Sequence, residues 1–169
     1  TWLTRAATSG KAPPTLRMQL ADVLDRRGKY AEAAQQWREV LKADPNNFVA
    51  MNNLAWQTVT HGGDATEALK FIDKALAGMG RRADLLDTRG MVYLSLKQPD
   101  KALSDFQAAA ADGPTPTRLL HLAQAQHQLK DRTAAKASLQ KAKEVGLELA
   151  KLHPTEQEAA RKLLQEYGL

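Results

Sequence analysis

Four times along the chain a small residue is followed four positions later by a large apolar one and seven positions later by another small one. The triplets are Ala33, Trp37 and Val40; Ala68, Ile72 and Ala75; Ala102, Phe106 and Ala109; and Ala135, Leu139 and Ala142. Offsets of four and seven return to one face of an α-helix, so each triplet predicts an amphipathic helix. The first alanines stand 35, 34 and 33 residues apart. A period of this length marks a helical-hairpin repeat, whose units cannot bury their apolar faces alone and stack on their neighbours.

A second matched signal lies upstream of each triplet: Leu20 and Ala21, Leu54 and Ala55, Arg89 and Gly90, and Leu122 and Ala123. Small residues there let the two helices of a hairpin cross closely, because a larger side chain would hold the backbones apart. Turn residues separate the halves: Gly28, then Gly62 to Asp64, then Gln98 to Asp100, and last the weaker break Lys130 and Asp131. Units end at Asp44 to Asn47, at Gly78 to Gly80 and at Gly113 to Pro116, where proline and glycine interrupt a helix.

These positions together resemble the tetratricopeptide repeat family, with four units at 14–47, 48–82, 83–115 and 116–149. Unit one supplies Leu20, Ala21, Leu24, Ala33, Trp37 and Pro45; unit three supplies Leu86, Gly90, Tyr93, Ala102, Phe106 and Pro114. Four residues depart from the family's apolar positions: Arg17, Thr58, Arg89 and Gln126. Gly80 and Leu147 stand where the closing proline is usual. The resemblance implies an all-α fold, a right-handed solenoid of stacked antiparallel helix pairs.

The flanks fit the same register. Leu3 and Ala6 place residues 1–13 as the second helix of a truncated preceding repeat, in a chain that lacks an initiator methionine and reads as a piece of a longer polypeptide. Residues 150–169 predict a capping helix, with Pro154 at its start, Gly168 beyond it, and Ala159, Ala160, Leu163, Leu164 and Tyr167 on one stripe.

Composition narrows the function. At 169 residues, 43% hydrophobic and 25% charged, the chain reads as an ordinary helical domain, with no apolar run of bilayer length. It has no cysteine, which excludes disulfides, thiol nucleophiles and thiolate metal sites but leaves the compartment open; a bacterial parent, and its cytoplasm, are the first expectation. The net charge of +5 raises the question of nucleic acid. In the family, the first helix of each unit lines a concave groove, and none of the corresponding positions here is lysine or arginine. Phosphate recognition needs those cations, so the groove predicts a protein ligand instead.

The groove positions place Trp56, Met91, Leu94 and Leu120 as an apolar floor and Asp22, Asp25, Asp84 and Asp87 as acidic flanks. Met18, Asn52, Asn53, His121 and Gln124 complete the expected surface. Its ligand would be a protein or peptide segment, basic or amphipathic, anchored by desolvated side chains. Family members that bind peptides often use an asparagine where Asn53 stands to bond the ligand's backbone; the alternative is that Asn52 and Asn53 only cap or solvate their helix. Trp37 occupies a core position, whereas Trp56 is divided between ligand contact and packing.

Other chemistry finds little support. His121 and His127 are six apart and do not share a helical face, and no acid stands at a useful spacing in sequence, so no metal site is expected. Asp84 and Asp87 resemble a carboxylate pair, but acid and base work needs a closed cleft to separate two pKa values. No catalytic residue and no cofactor is assigned, and the chain is expected not to be an enzyme. The expected role is a protein-interaction scaffold or adaptor within a larger polypeptide. Its alternatives are an RNA-binding helical repeat, an end-to-end self-association module, and a regulatory appendage of a catalytic domain outside this chain.

Overall fold

The computed structural model describes residues 12–169, so the expected helix over residues 1–13, and self-association through it, lie largely outside the described residues. Among the described residues there are nine α-helices, a short 3₁₀ turn and no strand. The helices are α1 (Pro14–Arg26), α2 (Tyr30–Ala43), α3 (Phe48–Thr60), α4 (Ala65–Met79), α5 (Ala83–Ser95), α6 (Pro99–Asp112), α7 (Pro116–Gln128), α8 (Arg132–Glu144) and α9 (Pro154–Glu166). The fold is all-α and of the helical-repeat solenoid type. None of these helices is long and apolar enough to cross a membrane.

The described residues divide into two compact units, the first ending at residue 80 and the second spanning 81–169. In the first, α1 pairs with α2 and α3 with α4, while α2 packs on α3. In the second, α5 pairs with α6 and α7 with α8, while α7 rests on both α5 and α6. The four triplets form the core of these pairs: every member is fully buried except Trp37, which keeps 3% of its surface. Removing a side chain of this size from water contributes about 1.5–3 kcal/mol.

Local chemistry sets the helix ends. Asn47, Asp64, Thr115 and Asp131 each accept a backbone N–H of the first turn with a side-chain oxygen, at 2.8–3.2 Å. Pro14, Pro99, Pro116 and Pro154 occupy the first helical positions, where a missing N–H costs nothing. Because Asn47 caps α3, Asn52 and Asn53 are released from that duty. The hairpin turns need a left-handed residue after the first helix. Gly28 supplies it in the first hairpin (φ 73°), whereas Lys97 (φ 58°) and Lys130 (φ 64°) hold the same conformation with a Cβ present. The break at Lys130 is therefore a strained turn that the surrounding packing enforces.

The family's apolar positions that hold polar side chains are each satisfied. Arg17 donates to Gln36 Oε1 at 3.2 Å. Thr58 returns its hydroxyl to the Leu54 carbonyl at 2.7 Å. Gln126 accepts from Ser138 Oγ at 2.7 Å. Arg89 grips Asp105 side-on, Nε to Oδ2 at 2.7 Å and Nη2 to Oδ1 at 2.9 Å, with the Asp105 side chain only 4% exposed. Three of these pairs join the two helices of one hairpin, so an apolar contact has been exchanged for a polar one at the same level of the stack.

In the last segment, Ala160, Leu163, Leu164 and Tyr167 of α9 pack with Leu120, Ala123, Ala135 and Leu139 of the α7–α8 pair. Ala159, expected on that stripe, is exposed instead. The helix rotates toward Glu156, which is only 7% exposed and has an ionic reason to face inward.

The crossing at Gly90 and the turn at Lys130 can each be tested by stability. A Cβ on Gly90 would lie 2.3 Å from the Phe106 ring, which is fully buried and has no room to withdraw. Gly90→Ala gains about 1 kcal/mol of helix propensity but overpacks the crossing by about 1–3 kcal/mol or more. The expected result is a net loss, read as a lower urea midpoint with an unchanged slope. Lys130→Gly relieves the left-handed turn and is expected to raise stability by about 0.5–1 kcal/mol in the same assay.

Candidate functional site

The first helices carry the expected surface, and the structure sorts its residues into two groups. In the first unit, Asp22 and Asp25 of α1 and Asn53, Trp56 and Gln57 of α3 line one recess of about 100 Å³, with Trp37 of α2. Asp22 and Asp25 reach it because a spacing of three keeps them on one helical face. Asp22 is exposed, Asn53 and Trp56 are half-buried, and Gln57 is only 3% exposed. Gln57 donates Nε2 to Asp25 Oδ1 at 3.1 Å, tying α3 to α1. Its own Oε1 is buried and has no hydrogen-bond partner among the described residues. Partial burial raises the Asp22 carboxyl above its ordinary value; Arg26 opposes this and Asp25 adds to it. Met18 and Asn52 stand half-buried on the same two helices, and Asn52 Nδ2 donates to Asn53 Oδ1 at 3.4 Å.

The second unit departs from the expected surface. Leu94 is only 8% exposed and packs with Ala102, Phe106 and Ala125; Leu120 is fully buried among Leu139 and the α9 leucines. Neither forms a groove floor: α7 sits on α5 and α6, and α9 on α7, so those faces are spent on stacking. His121 is likewise buried, 1% exposed, and does not meet solvent. Asp84 is exposed and bonded to Arg82 at 3.2 Å, while Met91 and Gln124 are half-buried.

Asp87 also has a different role from an open acidic flank. Its carboxylate meets His121 Nδ1 at 3.0 and 3.1 Å, and Glu156 Oε1 meets Nε2 at 2.7 Å. The ring lies 5.6 Å from that of Phe106. Three elements, α5, α7 and α9, converge on this imidazole. The expectation that no acid serves His121 fails because both acids come from other helices, 34 and 35 residues away. Burial opposes charging of the ring, but Asp87 and Glu156 outweigh it and raise the pKa from 6.5 to about 10. With both nitrogens engaged, the imidazolium is a structural ion that docks α9, not a ligand or base.

His121 therefore favours the folded state while charged. Because its folded pKa lies above the unfolded value, this stabilisation is complete below about pH 6.5 and fades as pH rises toward about 10. Urea midpoints measured from pH 6 to pH 10 are expected to fall across that window, and His121→Gln is expected to flatten the slope.

The recess combines residues that sequence reasoning found (Asp22, Asp25, Asn53, Trp56) with one it missed. Gln57 falls in register with Met51 and Leu54, at intervals of three, and all three are buried. A polar residue on that apolar stripe was the available signal. Glu156 and Asp105 were missed for the same reason, as acids standing in core register.

The repeated hairpins and a core of small-large-small triplets define a helical-repeat protein. Residues 15–117 match the family described as the TT21 fifth ARM repeats domain, and residues 117–145 match the tetratricopeptide repeat. The chain belongs to this tetratricopeptide-type repeat family, whose members are of scaffold type and mediate protein–protein interaction. DnaJ homolog subfamily C member 3 of Homo sapiens is 30% identical over 108 residues, covering 56% of this chain and 21% of that protein. Tetratricopeptide repeat protein 21B of Xenopus laevis is 28% identical over 98 residues, covering 56% of this chain and 7% of that one. The chain thus spans about a fifth, or less, of these relatives.

Among solved structures, a thermophilic TPR protein of Thermus thermophilus superposes with a TM-score of 0.76 at 21% identity, covering 96% of this chain and 87% of that one. PilW, a type IV pilus biogenesis factor, does so at 0.71 and 20% identity, covering 91% and 76%. These likenesses concern the fold. They run from vertebrate sequences to a Thermus structure and do not carry the expectation of a bacterial source.

Proposed function

We propose that the chain is a peptide-binding scaffold segment, and that the first-helix face of its first unit holds a short basic or amphipathic segment of a protein partner. The observation that carries this reading is the recess where Asp22, Asn53 and Trp56 converge, since acid, amide and indole there belong to two successive first helices. Trp56 offers a large half-buried surface whose further desolvation favours binding, the usual property of an interface anchor. Asn53 stands beside it and can bond a ligand's main chain, and Asp22 contributes negative charge at the rim. In the second unit Asp84, Met91 and Gln124 remain accessible to a partner, whereas Leu94, Leu120 and His121 are withdrawn into the core.

The test is capture of peptides from a randomised twelve-residue library by the full chain, followed by titration of the enriched sequences. Enrichment of lysine or arginine together with apolar residues is expected. Trp56→Ala is expected to weaken the best peptide by about 30-fold or more, the size of an anchor residue's contribution, while helicity and melting stay nearly unchanged. Equal binding by the variant, or no enrichment, would show that this face is not the site.

A further inference from the structure

The recess in the first unit has the chemistry of a receptor for one particular group. Its polar lining is supplied by two carboxylates, Asp22 and Asp25, and two side-chain amides, Asn53 and Gln57. Gln57 spends its N–H on Asp25, so the amide donor nearest the acids is already engaged. What Gln57 leaves over is an acceptor: a buried Oε1 with no partner among the described residues. A side chain only 3% exposed with an unmet acceptor is costly unless a donor arrives. Donor, positive charge and small size are thus all specified by the residues in place.

Resting on the reading that this face binds a peptide, we propose that the recess is a lysine pocket, which takes the ε-ammonium of a partner side chain. An ammonium is a compact cation with three N–H donors and no acceptor. Asp22 and Asp25 provide carboxylate acceptors for it, and Gln57, a third lining side chain, carries the unmet acceptor. The volume of about 100 Å³ is several times the ~10–15 Å³ that one water needs, which leaves room for the nitrogen and the last methylenes. Trp37 and Trp56 line the same space, so the methylene stem leaves water against indole, and the charge gains from aromatic neighbours. Partial burial already lifts the Asp22 carboxyl, with Asp25 adding to the effect, which is the signature of acids that a cation would relieve. Arg26, one turn further along α1, is exposed and lowers the Asp22 carboxyl, in opposition to burial.

The pocket is tested with n-butylammonium as the probe, independently of any peptide. The indole N–H signals of Trp37 and Trp56 are followed by NMR in the full chain at constant ionic strength. Saturable shifts in the millimolar range are expected, with 1-butanol, the neutral isostere, at least tenfold weaker. Asp22→Asn, a surface change that leaves folding intact, and Gln57→Leu, which keeps a buried side chain of similar size, are each expected to weaken the probe about tenfold. Equal responses to butanol or to sodium ion, or an unchanged affinity in Asp22→Asn, would overturn the proposal. A second arm separates it from the peptide reading. In a captured peptide, norleucine replaces each lysine in turn, and one replacement is expected to cost about tenfold. A peptide that stays Trp56-dependent but tolerates every norleucine overturns the pocket and leaves the groove standing. Saturation by butylammonium with no peptide captured supports the pocket and sinks the groove.

Discussion

Close approach of paired helices is the constraint on which the rest depends. Each hairpin places one small residue on its first helix and one on its second: Ala21 and Ala33, Ala55 and Ala68, Gly90 and Ala102, Ala123 and Ala135. All eight are buried. Helices that cross on residues of this size bring their backbones close, and the large residue one turn on then fills the space beside the crossing. Phe106 shows how little tolerance remains, since its ring occupies the space a methyl on Gly90 would need. The period of the sequence is the period of this contact, and the inward and outward faces of each helix are assigned by it.

Once the crossing is fixed, polar residues in core register find their partners in one of two places. Arg89 and Gln126 find partners on the second helix of their own hairpin. His121 finds its partners across the stack, from α5 and α9, and so turns a charge that would be costly alone into a link between three elements. The value of such a clamp lies in its geometry: an imidazolium bonded at both nitrogens fixes the rotation of α9, which is why Glu156 faces inward and Ala159 outward.

The fold was legible because it rests on identity at fixed spacing, and small-large-small triplets survive reading one sequence at a time. Turns were legible for the same reason, with Gly28 and Asp64 marking them by backbone chemistry; Lys97 and Lys130 were harder, as lysine does not announce a left-handed conformation. The candidate site was legible only in part. Asp22, Asn53 and Trp56 stand at positions that the family's geometry turns outward in the first unit. The same rule misplaced Leu94, Leu120 and His121, because it describes a repeat with an open first-helix face, and in the second unit that face is used by neighbouring helices. No local pattern signals a contact 35 residues away between a histidine and a glutamate.

The two acidic clusters put one residue type to different uses, a structural one at Asp87 and, in the proposed function, a recognition one at Asp22. Asp87 and Asp22 both lie on first helices at positions expected to meet a ligand, and a chain of net positive charge has cations to offer either. Asp87 meets an imidazolium that the stack holds in place, and its charge is consumed internally. Asp22 sits on a face where the covering helix supplies tryptophan and amides in place of a cation, so the same carboxylate keeps its field directed at whatever enters the recess. The difference originates one layer below the surface. Gln57 engages Asp25 with its N–H and is left with an oxygen that is an unmet acceptor, and the proposed selectivity for a charged donor rests on that pairing.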